Sequence, residues 1–231
     1  MPQVKTPTEE QFIQDIATHE MTIIRDDGWF RHIHCQRQGT RVYSFDILTW
    51  PGHLCVTGDM GSWLFSRLDD DMFEFFRKAA DDKRTLPINP DYWSEKLLAV
   101  DCHGRHDSGA TEYDSSVFAE RIEEKARDYC LSGTSFNDFM RAIDEEVLSH
   151  ADNGESLAME AALNFHFDDT QVFPEFWEVN CRSYRHRFIW CLYAIVWTIQ
   201  QYDTDKERLN KSVPQLTDCL PSYTVTVQER R

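Results

Sequence analysis

The apolar residues of this chain change their spacing near residue 67, and this change limits the folds that the sequence can adopt. Before it, four short segments rich in aromatic and β-branched residues alternate between apolar and polar positions, over residues 29–35, 41–48, 53–58 and 62–66. The connections between them contain the turn-forming sequences Gln38-Gly39, Trp50-Pro51-Gly52 and Gly58-Asp59-Met60-Gly61. Because connections this short join antiparallel neighbours, the sequence predicts a four-stranded antiparallel meander.

Helical spacing precedes and follows this predicted meander. Residues 7–20 predict an N-terminal helix, since Thr8 and Gln11 have the spacing of a capping box. Later helices are predicted after Asp69 to Asp71, from Asn89-Pro90 through Leu98, over Phe118 to Tyr129, over Phe136 to Val147, around Glu155 to Asn164, and from near Pro174. The segment from Tyr184 to Tyr202 is apolar nearly all round in its middle, which indicates a helix buried on most sides.

This pattern predicts an α+β fold, in which an N-terminal helix and a four-stranded antiparallel meander precede a mainly helical half that packs on the sheet. We expect an α+β meander domain over residues 1–110, an acidic helical region over residues 111–205 and a polar tail over residues 206–231. The pattern fits one domain or two, and it identifies no symmetric patch for an oligomer.

The composition excludes several classes of protein. With 231 residues, 13% of them aromatic, the chain is long enough to bury a core and too aromatic for a disordered protein. Its 40 acidic and 24 basic side chains give a net charge of −16, which argues against direct binding to nucleic acid. The longest apolar run, Phe188 to Ile199, is too short for a membrane span, and the first residues lack an apolar signal region. A cytoplasmic protein without membrane contact is therefore expected.

The cysteines agree with a reducing compartment. There are seven, an odd number, and no two of them form a C-x-x-C pair. This argues against a disulfide framework and against a four-cysteine zinc site. The sequence also lacks G-x-S-x-G and P-loop motifs, so we expect neither a cofactor nor, on balance, an enzyme.

Most of the excess negative charge falls on the helices predicted in the middle of the chain. Residues 101–178 have a net charge of −14, whereas residues 1–100 have −5 and residues 179–231 have +3. The carboxylates expected opposite the apolar stripes include Glu120, Glu123, Glu124, Asp128, Asp138, Asp144, Glu145 and Glu146. Such a surface is either a solvated face, or a DNA mimic that occupies the basic groove of a nucleic-acid-binding protein.

Arg182, Arg185 and Arg187 stand at the start of the predicted buried helix, where cations oppose the helix dipole. Their partner is either an acidic helix of the same chain or a phosphate-bearing ligand gripped by the guanidinium groups. In the second case Trp50 or Trp63 would stack on a base, and the chain would sequester or cleave a signalling nucleotide.

Histidines provide weak candidates for metal ligands. His32 and His34 share one face of a predicted strand, and His53 would join them from across the sheet, with Asp46 or Asp59 completing the set. A second cluster comprises Asp101, His103, His106 and Asp107. Neither spacing matches a metallohydrolase motif, so a polar sheet face and a polar loop remain the alternative interpretation, and we assign no metal.

Within about residues 29–107, turn and aromatic residues recur in the runs Tyr43 to Leu54, Gly58 to Gly61, Phe65 to Arg67, Met72 to Arg77 and Ile88 to Leu97. These runs resemble an uncharacterised family of proteins encoded in bacteriophage and prophage genomes. The resemblance implies a phage accessory protein and brings no catalytic residues. Since such proteins mostly redirect or block host systems, including restriction and CRISPR, we expect an inhibitor of a host anti-phage defence complex.

Overall fold

The computed structural model describes residues 6–68, 71–77, 86–101, 109–129 and 136–212. Its α-helices are α1 (Glu9–Asp15), α2 (Met72–Arg77), α3 (Pro90–Ser94), α4 (Ser115–Asp128), α5 (Phe136–Glu146), α6 (Glu155–Asn164) and α7 (His186–Ser212). Its strands are β1 (Glu20–Asp27), β2 (Phe30–Gln36), β3 (Phe45–Trp50), β4 (His53–Gly58), β5 (Gly61–Ser66), β6 (Leu97–Val100), β7 (Thr111–Tyr113), β8 (His166–Phe167), β9 (Thr170–Gln171) and β10 (Arg182–Tyr184).

An antiparallel sheet in the order β1-β2-β3-β4-β5-β6 precedes the larger helices, which confirms the α+β prediction. The sheet has six strands, so the predicted number of four is wrong. The N-terminal helix ends at Asp15 instead of reaching residue 20, and the chain then forms β1, where Ile23 pairs with Ile33. Likewise α3 ends at Ser94 and does not extend through Leu98, because Leu97 pairs with Phe65 in β5.

The inner face of the sheet is an apolar core covered by α7. Alternate residues of β2 to β5 lie on this face and are at most 3% exposed; they are Ile33, Cys35, Phe45, Ile47, Leu54, Val56, Trp63 and Phe65. The ring of Trp190 on α7 packs edge-on against Phe45 and Phe12, with centroid distances of 5.7 and 5.0 Å. The prediction of a helix buried on most sides is therefore confirmed, and α7 continues it to Ser212.

Within the described ranges, the helices lack the combination of length and apolar content needed to cross a membrane.

The shorter helices enclose a second cluster of buried side chains. On α4 the buried residues are Phe118, Ile122 and Ala126, and on α5 they are Phe139 and Ile143, as the helical spacing predicts. Helix α6 has the predicted bounds, but the helix expected near Pro174 is only a short 3-10 turn at Phe176–Glu178.

The two clusters are joined through a small ladder in which β10 pairs with β7. Because β10 leads directly into α7, the chain passes through the second cluster before it returns to the sheet. The division into a meander domain, an acidic region and a tail stays a prediction. Residues 213–231 lie outside the described ranges, as do Asp69, Asp70, His103, His106 and Asp107.

A nearly buried ion pair connects the sheet to α2. Both guanidinium nitrogens Nη1 and Nη2 of Arg31 donate to the carboxylate of Asp71, at 2.8 and 2.7 Å, and the side chains are only 9% and 15% exposed. The guanidinium also lies over the ring of Phe73, 4.5 Å from its centroid. Burial alone would raise the pKa of Asp71, but the hydrogen bonds from Arg31 and from the backbone of Phe73 hold it below its ordinary value of 3.8.

We expect Asp71→Asn to lower the free energy of unfolding by about 3 kcal/mol at neutral pH, because it leaves the buried charge of Arg31 without its partner. Since the pKa of Asp71 is lowered by folding, the carboxylate stabilises the fold above its ordinary pKa and loses this effect as the pH falls through the lowered value. Denaturant unfolding of both proteins, from about pH 7 to about pH 3, measures this. A difference that does not shrink in acid would contradict the assignment.

Candidate functional site

Helices α4 and α5 present carboxylates on the sides that face away from the second cluster. The predicted set lies on exposed positions, except that Glu123 is half-buried with its side chain 45% exposed; the others are Glu120, Glu124, Asp128, Asp138, Asp144, Glu145 and Glu146. We call these eight residues the acidic surface. The sequence correctly placed them opposite the apolar stripes, because helical spacing alone determines which side chains share a face.

Three of the eight carboxylates are paired with arginines on their own helix. Glu124 accepts from Arg121 at 2.7 Å, Glu123 from Arg127 at 3.0 Å and Asp138 from Arg141 at 3.0 Å. These are exposed pairs one helical turn apart, and such pairs contribute little to stability because water screens them. In the part of the chain that the structure describes, the other five form no ion pair; they are Glu120, Asp128, Asp144, Glu145 and Glu146.

The last turn of α5 concentrates the unpaired charge. Asp144, Glu145 and Glu146 are consecutive and exposed, and this turn contains no basic residue. Carboxylates at a helix C-terminus face the negative end of the helix dipole, which costs roughly 0.3–1 kcal/mol for each charge. By contrast, the last turn of α4 contains Lys125 and Arg127, which offset its acid. The end of α5 is thus an acidic turn without a basic residue, and the chain continues from it through Val147 into a 3-10 helix, Leu148–Asn153.

The arginine group is held by the chain itself. Arg182 belongs to β10, not to the start of α7, and its Nη1 donates to Glu155 at 2.6 Å while its Nη2 donates to the Thr111 carbonyl at 3.2 Å. Arg185 forms an ion pair with Glu112 at 3.3 Å. Arg187 alone of the three is exposed. These contacts favour the interpretation in which acidic groups of the same chain compensate the arginines.

The two tryptophans proposed to stack on a base lie on opposite faces of the sheet. Trp63 is on the inner face, 3% exposed, with its ring 5.2 Å from that of Phe188. Trp50 is on the outer face, stacked on His53 with a centroid distance of 5.0 Å. Trp63 is therefore a core residue, and its assignment as a stacking residue is corrected.

The outer face of the sheet brings two of the three histidine candidates together. His32 Nε2 and His34 Nδ1 both donate to Asp46 Oδ1, at 2.7 and 3.0 Å, across the β2–β3 ladder. His53 lies elsewhere on this face, with its ring nitrogens directed to the Pro51 carbonyl and to the Ser66 hydroxyl. Among the described residues, no group of three or more potential ligands is arranged to hold a metal ion.

The described thiols are poor nucleophiles. Cys35, Cys55, Cys181 and Cys191 are free, and all four have a raised pKa because burial disfavours the thiolate. Burial raises the pKa of Cys35 to about 12 and that of Cys181 to about 11. At neutral pH these side chains stay protonated and act as small apolar groups.

Comparison with protein-family models, with curated proteins and with solved structures found no match to this chain.

The structural role of the arginines gives a direct test. We expect Arg182→Met to lower the free energy of unfolding by about 1–2 kcal/mol, because it removes hydrogen bonds to Glu155 and to the Thr111 carbonyl. Arg187→Met should change it by less than about 0.5 kcal/mol, since that side chain is exposed. Equal effects of the two substitutions in denaturant unfolding would contradict this assignment.

Proposed function

We propose that this protein acts by binding, as a phage accessory protein that inhibits a host anti-phage defence system in the bacterial cytoplasm. The acidic surface would dock on a basic region of a nucleic-acid-binding defence protein and occupy the groove that the nucleic acid would otherwise fill. The mechanism requires no chemistry, because blocking the groove is sufficient for inhibition.

The main support for this proposal is the cluster of carboxylates at the end of α5. Asp144, Glu145 and Glu146 add three exposed negative charges where the helix dipole disfavours them, and no arginine or lysine in that turn compensates. A carboxylate kept against local stability is typical of a functional position, since function is the usual reason for a stability cost. Carboxylates that served only solubility would do so equally well at helix N-termini, where the helix dipole stabilises negative charge.

Two further observations support a basic partner. The region 101–178 has a net charge of −14, so its field would attract a positively charged surface and accelerate association at low salt. The resemblance of residues 29–107 to proteins of phages and prophages supports a partner among the host systems that attack phage nucleic acid. The competing proposal, a signalling-nucleotide pocket, loses support because Arg182 and Arg185 are paired internally and Trp63 is buried.

The double substitution of Glu145 and Glu146 by Lys should abolish partner binding and leave the fold intact. It replaces acid by base at a helix C-terminus, so we expect the free energy of unfolding to rise, by up to about 1–2 kcal/mol. Affinity capture from the bacterial host with mass spectrometry identifies the partner, and calorimetry with the purified partner measures affinity and its salt dependence. A short DNA duplex should compete for the same groove.

The matched control replaces Glu20 and Glu95 by Lys. Both are exposed residues of the sheet half, and the substitutions raise the net charge from −16 to −12, as in the test variant. The control should retain affinity within about threefold. Equal loss of affinity in both variants would show that net charge alone determines the affinity. Unchanged affinity in the test variant would refute docking through α5.

A further inference from the structure

A polar cavity of about 540 Å³ lies at one end of the outer face of the sheet, apart from the acidic surface. It is open to solvent on one side and is bordered by strands β2 and β3, by the loop between them and by the turn between β4 and β5. The side chains that line it are those of His34, Gln36, Arg41, Ser44, Asp46 and Asp59. Its volume falls in the range of small-molecule sites, about 300–1,000 Å³.

Three of the lining side chains, His34, Asp46 and Asp59, are held by hydrogen bonds within the protein. Asp46 Oδ1 accepts hydrogen bonds from His32 and His34, which sets the orientation of His34 and places the proton on its Nδ1. Asp59 Oδ2 accepts from the backbone N–H of Tyr43 at 2.8 Å, and the Asp59 N–H donates to the Ser44 carbonyl at 3.0 Å. A site preorganised in this way loses little conformational entropy when a ligand binds.

Gly58 allows the turn to approach the β2–β3 loop this closely. A Cβ atom at this position would lie 2.2 Å from the Ser44 carbonyl oxygen and 2.7 Å from the Phe45 Cα, both backbone atoms that cannot move aside easily. The close approach brings Ser44 and Asp59 to the same cavity wall. The shape of the cavity thus depends on the absence of a side chain at position 58.

The lining restricts the chemistry of the ligand. In the neutral imidazole that donates from Nδ1 to Asp46, Nε2 of His34 is an acceptor, and the carboxylates of Asp46 and Asp59 are acceptors as well. Arg41 is a pure donor, while Gln36 and Ser44 are both donors and acceptors. A polyamine carries only donors and would leave Arg41 facing a like charge. A phosphate is negatively charged and would be repelled by the two carboxylates, Asp46 and Asp59.

Hydroxyl groups satisfy both requirements, because each O–H donates one hydrogen bond and accepts others. Neighbouring hydroxyls on a ring also match the two oxygens of a carboxylate, as they do where acidic side chains bind a ribose. Among the described residues, no Phe, Tyr or Trp lines the cavity, so nothing there provides a stacking surface for a nucleobase.

We propose that this cavity is a binding site for a hydroxyl-rich small molecule, a sugar or a cyclic polyol, held by His34, Asp59 and Arg41. The site is independent of the acidic surface, and its ligand would bind whether or not the protein partner is present.

A titration followed by ¹H–¹⁵N NMR tests the proposal with defined probes: D-ribose, D-glucose, D-galactose, N-acetyl-D-glucosamine and myo-inositol. We expect saturable shifts of the backbone amides of residues 34–46 and 57–61 with at least one probe. His34→Ala should weaken that binding at least tenfold. Asp59→Asn should weaken it similarly while its amide oxygen still accepts from Tyr43, so this variant keeps the loop in place.

The matched control is His53→Ala, which removes a histidine from the same face of the sheet outside the cavity. It should bind the probe with unchanged affinity, and so should the double variant Glu145→Lys, Glu146→Lys. The proposal fails if none of the five probes gives saturable shifts, or if His53→Ala weakens binding as much as His34→Ala. Saturable shifts of the same amides with spermidine or inorganic phosphate alone would likewise overturn it.

Discussion

Helix α7 packs across the inner face of the six-stranded sheet, and the arrangement of both faces follows from this contact. Trp190 lies at its centre, against Phe12 of α1 and Phe45 of β3, and its ring nitrogen donates to Asp15 at 2.9 Å. Burial of this face supplies much of the driving force for folding, because aromatic side chains bury large apolar areas. Once α7 covers one face, alternation along each strand puts His34, Asp46 and Trp50 on the other.

The same contact requires the chain to pass through the second cluster and return. Helix α7 follows α4, α5 and α6 in sequence but packs on the sheet. The shorter helices therefore form an insertion between the sheet and α7, and β7 pairs with β10 at its two ends. The internal bonds of Arg182 and Arg185 stabilise this crossing point, which accounts for the presence of these cations there. The helices of this inserted segment lie outside the main core, and they also bear the carboxylates of the acidic surface.

Local features of the structure could be predicted from the sequence, and nonlocal ones could not. Turn residues identified the central strands, and helical spacing placed the carboxylates of α4 and α5 on exposed faces, because both depend on near neighbours. Strand β6 was missed since Leu97 and Leu98 fit a helix or a strand equally well, and only the pairing with β5, over 30 residues earlier, decides between them. Trp63 was misassigned for a similar reason: alternation shows that a strand has two faces, but not which face α7 covers.

The function that we propose depends on contact between the acidic surface and a basic protein partner. Zero-length carbodiimide cross-linking of the complex captured from the host couples carboxylates to partner lysines, and mass spectrometry identifies the joined residues. We expect cross-links concentrated at Asp144, Glu145 and Glu146, with others on the exposed carboxylates of α4. Cross-links confined to carboxylates of the sheet half, such as Glu20 and Glu95, would contradict it.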